Sequence, residues 1–167
     1  MKKCKGEKVF AAFIDLQKAF DSIWHEGLMH KLMKYGVNGD MLNLLRDMYT
    51  GNSFQLKFKD GFSNKIQSSC GVKQGDTLSP LLFNIYINDL VECLQSNPSC
   101  NPIKVGNSDI NILLFADDIV LLSDTKNGLQ HCLDTLSNYC YTWRLRVNKK
   151  NLLLSSLIQD IRSLKTN

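Results

Sequence analysis

The segment Asn111-Ile-Leu-Leu-Phe-Ala-Asp-Asp-Ile-Val-Leu-Leu-Ser123 sets two adjacent carboxylates, Asp117 and Asp118, between two apolar runs. Runs of this length on either side of turn-type residues predict two short buried strands joined as a hairpin. The acidic pair then sits at the end of a water-poor hairpin, where two like charges repel and neither is well solvated. A hard divalent cation with oxygen ligands is the natural partner for such a spot. The remaining elements have to be compatible with it.

Upstream, Val9-Phe-Ala-Ala-Phe-Ile14 is a short apolar run that predicts a buried strand delivering Asp15 at its C-terminal end. From about Gln17 the spacing of Ile23, Leu28, Met29, Leu32 and Met33 predicts a helix. Gly36 stops it, and Asn38-Gly-Asp40 starts a second helix with Met41, Leu44, Leu45 and Met48 on one face. The period then shortens: Phe54, Leu56 and Phe58 alternate with polar residues, and Asp60-Gly61 predicts a hairpin returning through Lys65 to Ser69. Cys70-Gly-Val-Lys-Gln-Gly-Asp76 reads as a polar loop. Leu78-Ser-Pro80 opens a helical stretch through Leu90, with the proline in the first turn. Asn97 to Pro102 is a loop, and Leu129, Leu133, Leu136 and Tyr139 mark a last helix from about Lys126 to Tyr141. No clear period follows Lys150.

This order fits an α+β fold, an antiparallel sheet with helices packed on one face, in which the Asp15 strand lies beside the Asp117 hairpin. Two metals bridged by such carboxylates suit in-line phosphoryl transfer. Composition excludes little else. The chain of 167 residues is 44% hydrophobic and 22% charged, enough for one core, and its net charge of +4 is compatible with a polyanionic partner. No apolar run reaches the roughly 20 residues that span a bilayer. The basic start has no apolar stretch of the kind that marks a cleaved secretory signal. The six scattered cysteines show no zinc-type spacing and read as reduced thiols of an intracellular protein.

Three motifs make the reading specific. Phe13-Ile-Asp-Leu-Gln-Lys-Ala-Phe-Asp-Ser-Ile-Trp-His25 resembles motif A of the reverse transcriptases of non-LTR (LINE-type) retrotransposons. Gly71-Val-Lys-Gln-Gly-Asp-Thr-Leu-Ser-Pro-Leu-Leu-Phe-Asn84 resembles their motif B, and Phe115-Ala-Asp-Asp118 their motif C. The resemblance implies the palm domain of a right-hand polymerase, with two Mg²⁺ ions (Mn²⁺ as substitute) held by Asp15, Asp117 and Asp118. Asp15 and Asp117 would be the principal ligands and Asp118 the adjacent one. It also implies RNA-directed DNA synthesis: an RNA template, a DNA primer whose 3′-hydroxyl is extended, and deoxynucleoside triphosphates.

By the same resemblance Phe20 is the steric gate that excludes a 2′-hydroxyl, and Gln74 and Gly75 lie against the incoming nucleotide. Lys18 and Lys73 are candidates to meet phosphate, with a solvated lysine as the default for each. Asp21 reads first as a helix N-cap, and Trp24 and Trp143 read as core.

Two departures bear on activity. The chain starts almost at motif A, without the fingers motifs, and has no thumb, so it reads as a partial palm over residues 1–150 with a divergent tail over 151–167. Leu145-Arg-Val-Asn148 matches the start of motif D, but Asn151, Leu152 and Leu153 stand where a Lys-Thr-Lys group is expected. The missing lysine is a candidate general acid for the leaving pyrophosphate; Lys149 or Lys150 would replace it only by a register shift. These departures predict a chain that is inactive alone. The alternative is a non-catalytic retroelement remnant that at most binds nucleic acid.

Overall fold

The computed structural model describes residues 7–148 and 153–159. Its centre is a four-stranded antiparallel sheet built from β1 (Glu7–Asp15), β8 (Ile112–Phe115), β9 (Asp118–Ser123) and β10 (Leu153–Gln159), in the order β10-β1-β9-β8. The strand carrying Asp15 is therefore central and hydrogen-bonds directly to the hairpin, as the order of elements predicts. Ala12, Ile14, Ile119 and Leu121 alternate along one face of these strands and are buried. That is the period of two expected of a half-buried sheet. The strand β10 runs antiparallel to β1 from Phe13↔Leu153 to Glu7↔Gln159, so part of the tail, which shows no clear pattern in the sequence, joins the sheet. Residues 149–152, with the candidate substitutes Lys149 and Lys150 and most of the altered motif D, lie outside the described residues, as do 1–6 and 160–167.

The first helix starts later than its apolar spacing predicts. Gln17 N–H donates to the Arg146 carbonyl at 2.7 Å and Leu16 bridges to Val147. The chain there is still engaged as sheet, and Lys18 has a positive φ of 51°. A 3₁₀ turn, Phe20–Ser22, follows, and α1 (His25–Lys34) begins only after Trp24. Gly36, at φ 87°, stops it as expected, its N–H bonded to the Met33 carbonyl.

In α2 (Gly39–Tyr49) the buried face is Leu42, Leu45 and Tyr49. Met41 and Leu44 are exposed, so the predicted apolar face was rotated toward solvent; the aromatic ring of Tyr49 completes the i, i+3, i+7 stripe instead. The apolar stretch after Pro80 forms two helices, α3 (Ser79–Ile87) and α4 (Asp89–Gln95), which meet at Asn88.

The hairpin before motif B exists, but in broken pieces: β2 (Ser53–Phe54) pairs with β5 (Ile66–Gln67), and β3 (Lys57–Phe58) with β4 (Gly61–Phe62). Phe58 pairs with Gly61, so the two turn residues are Lys59 and Asp60, one step earlier than the Asp60-Gly61 expected. A further hairpin, beyond those the sequence pattern predicts, pairs β6 (Ile103–Val105) with β7 (Ser108–Ile110) and turns at Gly106-Asn107.

The last helix, α5 (Lys126–Thr142), packs on β9 and β1 through Leu129, Cys132, Leu136, Tyr139 and Cys140. Thr125 caps it, its Oγ1 accepting from Gly128 N–H at 3.0 Å. Gly128 is required by close approach: a Cβ there would lie 2.3 Å from Ser123 Oγ.

Beneath the sheet, Lys31 of α1 is fully buried, although no apolar pattern marks it. Its ammonium donates to Asp89 Oδ1 at 2.6 Å, to Tyr139 Oη at 2.5 Å and to the Tyr86 carbonyl, and stands 3.7 Å from the ring centroid of Trp143. This cluster ties α1, α3, α4 and α5 together. Burial lowers the Lys31 pKa from 10.5 to about 8, more than the neighbouring Asp89 carboxylate restores. The Tyr139 hydroxyl is pushed well above its usual value, first by burial and then by its hydrogen bond to Asp89.

Candidate active site

Asp15 closes β1 and Asp118 opens β9, and the two are register partners. Directly opposed residues of an antiparallel pair project from the same face, with Cβ atoms about 4.5–5.5 Å apart. Asp117 precedes Asp118 in the two-residue turn Ala116-Asp117 that links β8 to β9. Ala116 there has φ 52°, a left-handed conformation that favours glycine or asparagine in such turns. Asp15 and the distant pair Asp117-Asp118 are thus gathered at one end of the sheet.

The setting differs from the water-poor hairpin predicted. Asp118 is exposed, and Asp15 and Asp117 are half-buried. The alternation along β9 explains this: Ile119 and Leu121 turn to the helices, so Asp118 turns to the open face together with Phe13, Leu113 and Phe115, all exposed. Asp15 and Asp118 stand on the solvent-facing side of the sheet, with Asp117 in the turn beside them.

The donor set is all oxygen, which suits a hard divalent cation. Among the described residues, however, no three His, Cys, Asp or Glu side chains stand close enough together to hold a metal ion.

Asp15 is anchored from the other side. Asn148 Nδ2 donates to Asp15 Oδ2 at 3.0 Å, and Asn148 N–H donates to the Asp15 carbonyl at 2.8 Å.

Motifs A and B are joined by a set of bonds that the sequence does not display. Gly71 N–H donates to the Ile23 carbonyl at 2.8 Å, Val72 N–H to Phe20 at 2.9 Å, and His25 Nε2 bonds the Gly71 carbonyl at 2.7 Å. Gln74 Nε2 donates to Asp21 Oδ1 at 2.8 Å. Asp21 is therefore a tie to the Gln74 loop and not the N-cap predicted: Trp24 holds the N-cap position of α1, and no side chain caps it. Phe20 is half-buried and stacks on Phe83 of α3, ring centroids 4.9 Å apart. Gly75 is exposed, with φ 86° and nothing within 4 Å of where a Cβ would be.

Beside these motifs lies an open cavity of about 1070 Å³, into which Lys18, Arg46, Arg144 and Arg146 converge with Asp21 and Glu26. The Arg144 guanidinium lies 4.0 Å over the Trp24 ring. Trp24 thus carries a cation rather than sitting wholly in the core. Arg144 also holds a positive φ, 57°. The other candidate for phosphate, Lys73, is exposed and lines a separate cavity. Sequence reasoning missed Arg46 and Arg144 because nothing in their spacing links them to the motifs.

The fold is that of a polymerase palm, shared with telomerase reverse transcriptases. The protein of Candida tropicalis telomerase, solved with a fragment of telomeric RNA, superposes with a TM-score of 0.72 at 13% identity, over 93% of this chain and 27% of that one. A family model described as reverse transcriptase (RNA-dependent DNA polymerase) matches residues 1–155.

The chain belongs to the reverse transcriptase family. It is 36% identical over 139 residues to the Pol polyprotein of the retrotransposable element R2DM of Drosophila melanogaster, covering 83% of this chain and 13% of that protein. A probable RNA-directed DNA polymerase from transposon BS of the same fly is 32% identical over 155 residues, covering 86% of this chain and 16% of that protein. These relatives are of the non-LTR retrotransposon type. The chain spans less than a fifth of the length of either.

Proposed function

We propose that this chain is the palm portion of an RNA-directed DNA polymerase, in which Asp15, Asp117 and Asp118 hold two Mg²⁺ ions and the open sheet face receives an RNA template and a DNA primer. The observation that carries this reading is the register Asp15↔Asp118 with Asp117 in the adjoining turn. Mg²⁺ is characteristically bound by one or two carboxylates plus substrate phosphates, so a protein-only cage of three side chains is not required. When bound, the metal would activate the primer hydroxyl and neutralise charge on the leaving phosphates. The chain's own residues do the rest. Phe20, braced on Phe83, limits the space at the sugar, and Gln74, held by Asp21, fixes the loop that presents Gly75 to a nucleotide. The cation-lined cavity supports a polyanionic ligand. Scattered free thiols fit an intracellular setting.

Calorimetric titration of Mg²⁺ and Mn²⁺ into the chain tests the metal site: binding should weaken at least about tenfold in Asp15→Asn and Asp117→Asn, and unchanged affinity would sink the reading. With poly(rA)/oligo(dT), dTTP and Mg²⁺ the chain alone should give no product. Product that disappears in Asp117→Ala would overturn the proposal that it is a partial machine.

A second reading is a non-catalytic remnant that binds nucleic acid through its basic surface. The cavity beside motifs A and B, lined by Lys18, Arg46, Arg144 and Arg146, favours it. It is distinguished by RNA binding that weakens steeply with salt and is indifferent to both metal and Asp15→Asn.

A further inference from the structure

Where β10 stops pairing with β1, at Phe13↔Leu153, residues 146–148 take over the same side of the chain. Gln17 N–H donates to Arg146, Leu16 bridges to Val147, and Asn148 N–H donates to Asp15. Buried Leu145 and half-buried Val147 root this segment in the core. Its last residue places a side-chain amide against the carboxylate, Nδ2 to Oδ2 at 3.0 Å. We infer that Asn148 is a positioning residue for Asp15, fixing the plane of its carboxylate for a divalent cation; this rests on the metal-site reading above.

The physical case has three parts. An aspartate χ2 is broad and roughly two-fold, so a strand-end carboxylate has no intrinsic reason to keep one plane. A hydrogen bond to one oxygen selects a plane, and the backbone bond from the same residue fixes where that donor stands. The donor is also uncharged. A lysine or arginine at this place would orient the carboxylate but compete with the cation for its charge, whereas an amide orients without neutralising. Partners that orient metal ligands in this way typically account for a factor of about 10–100 in metal affinity.

The test is Mn²⁺ affinity, read by water-proton relaxation, together with thermal melting of the full chain. Asn148→Ala should bind Mn²⁺ about 10–100-fold more weakly while melting within a few degrees of the parent. Asn148→Ser, which keeps a donor of shorter reach, should fall between the two and serves if the alanine variant does not fold. Affinity equal to the parent in either folded variant overturns the inference. If Asp15→Asn loses binding and Asn148→Ala does not, only the positioning role falls. If the parent binds no Mn²⁺, the metal-site reading falls and takes this inference with it.

Discussion

Lys31 and Asp89 form an ion pair at 2.6 Å in which the lysine has no solvent contact and the aspartate almost none. The pair joins the helix that follows motif A to the helix that follows motif B. Through Tyr139, which bonds both partners, the pair is also tied to the last helix, which packs on β9 and β1.

Removing one partner strands the other in the core. Lys31→Met should cost about 3–5 kcal/mol, because Asp89 would remain buried without its cation. The double change Lys31→Met/Asp89→Leu should cost less than the single one, since no charge is left behind. Urea unfolding of both variants checks this; a double variant as unstable as the single would show that the aromatic ring around Lys31, not charge, sets the cost.

Stability should fall as the pH rises above about 9. Burial pushes the Cys132 thiol up to about 12 and the Cys140 thiol up to about 11, from 9.0. The unfolded chain therefore gives up these protons first, and stability present below pH 9 is lost as the pH rises toward 11–12. Lys31 acts in the opposite sense: its lowered pKa means that its contribution grows from about pH 8 to 10.5. Two thiols outweigh one lysine in the overlap. Melting temperatures should therefore decline between about pH 9 and 10.5, and Cys132→Ala/Cys140→Ala should flatten or reverse the slope in that window.

Two glycines of motif B should respond differently to alanine. Both have positive φ, 89° at Gly71 and 86° at Gly75, so each pays a backbone strain of about 1–2 kcal/mol. At Gly71 the new Cβ would also meet the Asp21 carbonyl oxygen at 2.8 Å, whereas Gly75 faces open space. Gly71→Ala should be the more destabilising in denaturant unfolding, and should release the Gln74–Asp21 bond; equal losses would count against the close approach.

Phe20→Ala removes the ring stacked on Phe83. In a polymerase that contains this chain it should relax discrimination against ribonucleoside triphosphates. Single-nucleotide incorporation of dTTP against UTP measures it, and unchanged sugar selectivity would count against the gate role.

Much of the palm was legible because its signals are local. The apolar runs around Asp117, the run ending at Asp15, Gly36 and Pro80 each act within a few residues, and each stands where the pattern placed it. Failures came where a distant segment decided. The helix expected from about Gln17 begins only at His25, because Leu16 and Gln17 are held by residues 146–147, and Met41 and Leu44 look buried by spacing but lose that face to Tyr49.

By itself the sequence determined which carboxylates, which turn and which Gln-Gly loop the chain carries, because strand period and turn chemistry are properties of neighbouring residues. Only the tertiary structure decided that Asp15 is opposite Asp118, that Asp21 holds Gln74, that Asn148 holds Asp15, and that Lys31 is buried. Each of these joins segments far apart in the chain, and what selects such a contact is the burial and hydrogen-bond satisfaction of the whole packed sheet and helices.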